Sequence, residues 1–233
     1  MISVGSLVVN THRNVLNILG VSSAISGSPV AIYPLVVDGQ SLKDLLMKRR
    51  ETDAAGAPLQ PLSVPQLVYI SAQFARGINH LARNGLVHKD IAARNCLVTS
   101  QLQVRVMDGA LGMDLFPGEY DTVGENPVKL PIRWMSAECL TGHAASTESD
   151  VWSFGVAMWE IMTHGDVPYE SLKAEGLLMT LQDGQRLEQP SSCPNQIFSL
   201  MGQCWALSPE DRPSFHQLTM ALHEFYAALT CFI

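Results

Sequence analysis

The chain has 233 residues, 47% of them hydrophobic and 16% charged, with a formal net charge of −7. That is apolar enough for a sizeable core in one large domain or two small ones, and the negative balance argues against a nucleic-acid surface or a polybasic membrane patch. Cys96, Cys139, Cys193, Cys204 and Cys231 form no C-x-x-C pair and are odd in number, so neither a zinc site nor a disulfide framework is indicated and a reducing compartment fits.

Residues 12 to 37 predict two short strands, Val15 to Val21 and Val30 to Val37, joined by the polar turn Ser26-Gly27-Ser28-Pro29. Ser41-Leu42-Lys43-Asp44-Leu45-Leu46 begins a helix that stops before the loop from Arg49 to Pro61. Ser63 with Gln66 predicts a capping box for the next helix, on which Leu67, Ile70, Phe74, Ile78 and Leu81 recur at helical spacing until Asn84-Gly85. The alternating run Leu102 to Met107 predicts a strand. Val151 to Thr163 is apolar nearly all round and is expected as a helix buried in a large core. A last helix, about Phe215 to Leu229, sets Phe215, Leu218, Leu222, Phe225 and Leu229 on one packing side. No stretch reaches the roughly 18 apolar residues of a membrane span, and Met1-Ile2-Ser3-Val4-Gly5 lacks the charged region of a signal peptide, so the chain is expected to be soluble.

Ahead of the Leu102 strand stands His88-Lys89-Asp90-Ile91-Ala92-Ala93-Arg94-Asn95, which has the H-[RK]-D-x-x-x-x-N spacing of a phosphotransfer loop. In that chemistry the Asp orients and deprotonates the attacking hydroxyl, and the Asn helps hold magnesium between the phosphates. The strand ends on Asp108-Gly109-Ala110. Lys129-Leu130-Pro131-Ile132-Arg133-Trp134-Met135-Ser136-Ala137-Glu138, Ser149-Asp150-Val151-Trp152-Ser153-Phe154-Gly155-Val156, Cys204-Trp205 and Pro209-Glu210-Asp211-Arg212-Pro213 follow in turn. In this order the motifs resemble those of the protein kinases. Ala92-Ala93-Arg94 and Leu130-Pro131-Ile132-Arg133-Trp134 look like the tyrosine-kinase version. Lys89, Asp114-Leu115-Phe116-Pro117 with Tyr120 and Gly124-Glu125-Asn126, Asp183-Gly184 with Gln189-Pro190, and Cys204-Trp205-Ala206-Leu207 look like the Ryk/Derailed subfamily. The resemblance runs from about His12 to Ile233.

The resemblance implies an α+β, protein-kinase-like fold: residues 1–37 as a partial N-lobe (the end of helix C, the last two strands and the hinge approach) and residues 38–233 as the C-lobe. Tyr33 to Asp38 would be the hinge, with Pro34, Leu35 and Val36 against adenine; Leu97 would be the adenine floor or, equally, an ordinary core leucine. Asp90 would be the base, Arg94 would orient a substrate tyrosine, and Asn95 and Asp108 would hold Mg2+ with ATP. Structural roles are implied for His88 as a core histidine, for Glu138 paired with Arg212, and for Asp150 as acceptor of the catalytic-loop backbone. Tyr120, the one tyrosine between Asp108 and Glu138, is the candidate phosphosite; in an inactive enzyme it is expected as a plain exposed loop residue. Members of the subfamily are single-pass Wnt receptors of the plasma membrane with a catalytically impaired cytoplasmic domain. This implies intracellular signalling partners on the C-lobe and Wnt recognition by extracellular parts outside the chain.

Several family features are missing. There is no G-x-G-x-x-G and no V-A-I-K ahead of the catalytic loop, Lys43 and Lys48 follow the hinge, and Ser3 stands where the helix-C glutamate is expected, so Met1 reads as a truncated or misassigned start. Gly109 and Ala110 replace the Phe and Gly of D-F-G; Ala110 restricts a position that Gly would leave free for positive φ, and restoring both residues in the full-length cytoplasmic region is expected to rebuild the lobe-bridging packing. Binding of MgATP by this chain is therefore expected to be weak or nil. Two readings stand at this point: a pseudokinase signalling module, favoured by these losses, and an active tyrosine kinase in the full-length protein, favoured by Asp90, Arg94, Asn95 and Asp108.

Overall fold

Residues 11–22, 30–50, 60–122 and 128–231 are described by the computed structural model of the chain, so Ser3, the turn at 26–29, residues 51–59 of the Arg49 loop and Gly124-Glu125-Asn126 lie outside the described residues. Strands β1 (Gly20–Ser22) and β2 (Val30–Ile32) pair antiparallel, Val21 opposite Ala31. The first strand is thus shorter than Val15 to Val21. Val15, Leu16 and Ile18 are all buried, which breaks the alternation of a half-buried strand. Val15 makes only a single parallel bridge to Val106, with Leu16 N donating to Val106 O at 2.8 Å. The second strand stops at Ile32 rather than Val37, because Pro34 has no N–H for a ladder and Val36 O accepts from Gly39 N in a turn where Asp38 takes φ 57°.

A second antiparallel sheet has the order β3 (Gln40–Ser41), β4 (Cys96–Val98), β5 (Val104–Val106), with Ser41 opposite Leu97 and Leu97 opposite Arg105. β5 begins two residues later than Leu102, which sits at φ 58° in the connecting turn. Helix α1 (Leu42–Lys48) starts where Ser41 Oγ accepts from Lys43 N at 3.2 Å. Helix α2 (Val64–Arg83) starts at Ser63, whose N–H donates to Gln66 Oε1 at 2.9 Å.

Short helices α3 (Ala110–Leu115) and α4 (Ala137–Leu140) lead to α5 (Thr147–Met162), which is buried on nearly every side, as its composition leads one to expect. Helices α6 (Ala174–Gln182), α7 (Asn195–Cys204) and α8 (Phe215–Thr230) complete the helical body. The rings of Phe74, Phe154 and Phe215 meet edge to face, with centroids 5.6 and 5.7 Å apart, and join α2, α5 and α8 through one core. No helix among the described residues is long and apolar enough to cross a membrane.

Arg212 ties three parts of this body together. Its guanidinium donates to both Glu138 oxygens at 2.7 and 2.9 Å and to the carbonyls of Glu148 and Ala206, each at 2.9 Å, over the face of Trp152. Burial alone would raise the Glu138 pKa, but the bonds to Arg212 and those made by its own backbone and Ser136 hold it below the ordinary 4.5. A carboxylate held low stabilises the fold fully above its unfolded pKa and loses that contribution as pH falls through the folded value. Arg212→Ala should therefore cost about 3 kcal/mol at neutral pH, and the gap to the parent chain should narrow in acid. Arg186→Ala should cost less, about 1 kcal/mol, since Arg186 gives its N–H groups to the carbonyls of Trp205 and Leu181 and holds no carboxylate. Equal denaturant midpoints for the two variants would contradict this.

Candidate active site

The His88–Asn95 loop is held from behind by Asp150 in α5, whose oxygens accept from His88 N at 2.6 Å and Lys89 N at 2.8 Å. Lys89 sits at φ 72°, an unfavourable conformation for a side-chain-bearing residue, and these charge-assisted bonds offset that strain. His88 is buried, and its Nε2 lies 2.6 Å from Met107 O. A carbonyl only accepts, so Nε2 carries the proton and Nδ1 is left to accept from Asp90 N at 3.3 Å. His88 thus joins the loop to the end of β5.

Both oxygens of Asp90 are engaged by the chain's own side chains. Arg94 donates to Oδ1, and the Tyr120 hydroxyl donates to Oδ2 at 2.7 Å. Arg94 is fully buried; its Nε donates to the Tyr120 oxygen at 2.8 Å, another nitrogen reaches Glu119 Oε2 at 2.9 Å, and its plane lies between the Tyr120 and Trp134 rings at 4.4 and 4.2 Å. Tyr120 is only 5% exposed, which overturns the expectation of a plain exposed loop tyrosine. Burial first, and then the Asp90 carboxylate, push its hydroxyl up to about 12, so it stays protonated and donates at neutral pH.

Two further residues that the motif did not mark join this cluster. Lys43 of α1 reaches Glu119 at 2.8 Å and Glu160 at 3.3 Å. Glu160, fully buried in α5, also accepts from Trp134 Nε1 at 2.7 Å and Ala93 N at 3.1 Å. Burial works against the charge on Lys43, but Glu160 and Glu119 more than offset it and hold its pKa above the ordinary value. A signal for both was present in the sequence: the one Glu in the apolar run Val151 to Thr163 and a Lys between core leucines each need a partner.

Asn95 Nδ2 donates to Asp90 O at 2.8 Å, while its Oδ1 is buried without a hydrogen-bond partner. That is the kind of hard oxygen magnesium takes, yet α3 lies against it: a methyl group added at Gly112 would come within 2.1 Å of Asn95 Oδ1 and 2.9 Å of the Tyr120 hydroxyl. Asp108 accepts from the Tyr33 hydroxyl, whose pKa is raised by burial and by that carboxylate. No group of three or more His, Cys, Asp or Glu among the described residues could hold a metal. The oxygens do not fit a magnesium–nucleotide complex while α3 and Tyr33 stand where they do.

Pro34 is half-buried, Leu35 is 89% exposed and Val36 is half-buried with its carbonyl engaged by Gly39, so these three are not gathered into a closed adenine slot. Leu97 is half-buried in the middle of β4. At Gly109 an added Cβ would lie 2.8 Å from Asp90 Oδ2, so in this arrangement any larger side chain there requires the carboxylate to move. Ala110 opens α3 as its first helical residue, so the position does not call for the positive φ that a glycine would allow. Gly112→Ala should accordingly lower stability by about 1–3 kcal/mol through overpacking. Gly118→Ala, with nothing within 4 Å of the new methyl, should stay within about 0.5 kcal/mol of the parent. Indistinguishable denaturant midpoints for the two would contradict the seating of α3 on Asn95.

Residues 4–222 match the family model described as protein tyrosine and serine/threonine kinase. The human tyrosine-protein kinase RYK is 42% identical over 222 residues, 95% of this chain and 36% of that protein. The tyrosine-protein kinase Drl of Drosophila melanogaster is 40% identical over 223 residues, 96% of this chain and 35% of that protein. The human inactive tyrosine-protein kinase 7 is 43% identical over 212 residues, 91% of this chain and 19% of that protein. The chain thus spans only about a third or less of the curated relatives it matches. With an α+β body, the ordered motifs and these relatives, the chain belongs to the protein tyrosine and serine/threonine kinase family, as a Ryk-type kinase domain.

Proposed function

We propose that the chain is a pseudokinase signalling module, a kinase domain that engages other proteins through its helical body and does not transfer phosphate. The observation that carries this reading is the occupation of the reaction centre by the chain's own residues. Arg94 and Tyr120 take both oxygens of Asp90, α3 covers Asn95 Oδ1, and Tyr33 donates to Asp108. Each carboxylate oxygen keeps a second lone pair, so what bars an incoming hydroxyl from Asp90 is the Tyr120 side chain that already donates to it. Tyr120 stands on Asp90 as a substrate tyrosine would, so catalysis would require its departure together with the Arg94–Glu119–Lys43 pairs that hold the neighbouring residue. The name of one relative, inactive tyrosine-protein kinase 7, fits this reading.

In the whole protein we place the module on the cytoplasmic side of the plasma membrane, in a single-pass receptor for a Wnt ligand, with intracellular signalling proteins as its partners. The rival reading, an active ATP- and Mg2+-dependent tyrosine kinase in the full-length protein, with Asp90 as base, Arg94 orienting the substrate and Asn95 and Asp108 on the metal, rests on the retention of all four residues.

Calorimetry should show MgATP binding weaker than a Kd of about 10 μM, which corresponds to roughly −7 kcal/mol. The same protein should not phosphorylate a tyrosine peptide above background. Tighter binding would overturn the expected loss of nucleotide affinity, and phosphorylation that is lost in Asp90→Asn would establish the active-kinase reading instead.

A further inference from the structure

The chain's charge is unevenly placed. None of its 22 acidic residues lies in residues 1–37 or 54–89. The described parts of those two stretches meet at one corner, where Asn14 Nδ2 donates to Val104 O at 2.9 Å and seats the segment ahead of β1 beside β5 and α2. There the rings of His12 and His80 stack with centroids 4.7 Å apart. They wall a surface cavity of about 450 Å3 whose other lining residues are Arg76, Asn79, Arg83 and Asn84. A neighbouring cavity of about 260 Å3 shares His12 and adds Arg13 and Arg105. From α8, His223 Nδ1 accepts from Arg76 at 3.2 Å, while the adjacent Glu224 lines a different groove, between α7 and α8. No residue lining either cavity carries a carboxylate.

The arginines elsewhere set the contrast. Arg50, Arg94, Arg133 and Arg212 each hold an acidic side chain, whereas Arg13, Arg76, Arg83 and Arg105 hold none among the described residues. Burial first, and then the positive charges of His80, Arg13 and Arg76, keep the His12 pKa below 6.5. The corner therefore carries a positive field that a bound anion would relieve.

We propose that this corner is a binding site for a phosphotyrosine-containing segment of a partner protein. Guanidinium forks match phosphate oxygens in pairs. Arg76 and Arg83 stand about 10 Å apart along one helix face, enough to hold a phosphate and an acidic neighbour at once. The stacked imidazoles offer the phosphotyrosine ring an aromatic wall. A cavity with recessed histidines suits an inserted side chain better than a membrane surface, which is met by projecting basic residues. The inference goes beyond the reading of the cleft and uses none of its residues, so either can fail alone.

The test is fluorescence anisotropy of the 233-residue chain with a labelled Glu-Glu-phosphoTyr-Gly-Glu peptide and its unphosphorylated twin. Vesicles of phosphatidylcholine doped with phosphatidylinositol bisphosphate form a third arm. The phosphopeptide should bind at least about tenfold more tightly than its twin, and Arg76→Gln/Arg83→Gln should remove that preference. Arg76→Lys/Arg83→Lys, which keeps the charge and loses the fork, should retain part of it, and Arg49→Gln all of it. Equal binding of the two peptides, wild-type affinity in the Gln pair, or binding to vesicles in preference to the phosphopeptide would overturn the proposal.

Discussion

A guanidinium with no exposure to water has to find every partner inside the protein, and in this chain that guanidinium is Arg94. An uncompensated buried charge would cost several kcal/mol. The compensation comes from Asp90 four residues earlier, from Glu119 and the Tyr120 hydroxyl, and from two aromatic faces. These partners lie on three separate segments, so satisfying one side chain fixes the catalytic loop, the stretch after α3 and the turn at Trp134 against one another. Glu119 then needs a second cation, supplied by Lys43 from α1, and Lys43 shares Glu160 with Trp134 and the loop backbone. Removing one member leaves others buried and unpaired, which makes the cluster cooperative.

The same constraint explains the character of the site. Groups that a phosphotransfer enzyme leaves open for substrate and metal are here taken up by the chain itself: Asp90 and Asp108 accept internal hydrogen bonds, Asn95 Oδ1 lies under α3, and the glycines at 109 and 112 allow the approach. At both positions an ordinary side chain would meet Asp90 or Asn95 below contact distance. The departure from D-F-G is thus more than the loss of a packing phenylalanine. It lets the backbone leading into α3 lie directly on the catalytic loop.

Much of this could be read from the chain, for a physical reason: periodicity and capping are local. The capping box at Ser63 and Gln66, the all-round apolar α5 and the apolar face of α8 appear where spacing puts them. The strands were less legible, since Val15 to Val21 satisfies a composition rule while its neighbouring residues 15 and 16 are both buried. Of the site, the loop motif marked Asp90, Arg94 and Asn95 but not their occupants. Tyr33, Lys43, Glu119 and Glu160 reach the cluster through contacts as far as 117 positions apart, and no local pattern encodes such partners. Tyr120 was misjudged because loop tyrosines usually face water; what buries it is the need of Arg94.

The central claim is that the segment from Ala110 to Thr122 rests on the catalytic loop as part of the ground-state fold. Hydrogen exchange of that segment, followed by mass spectrometry with and without saturating MgATP, tests it most directly. The account predicts slow exchange, matching that of the catalytic loop, and no change on adding nucleotide. Fast exchange across α3, or exchange that responds to MgATP, would contradict it.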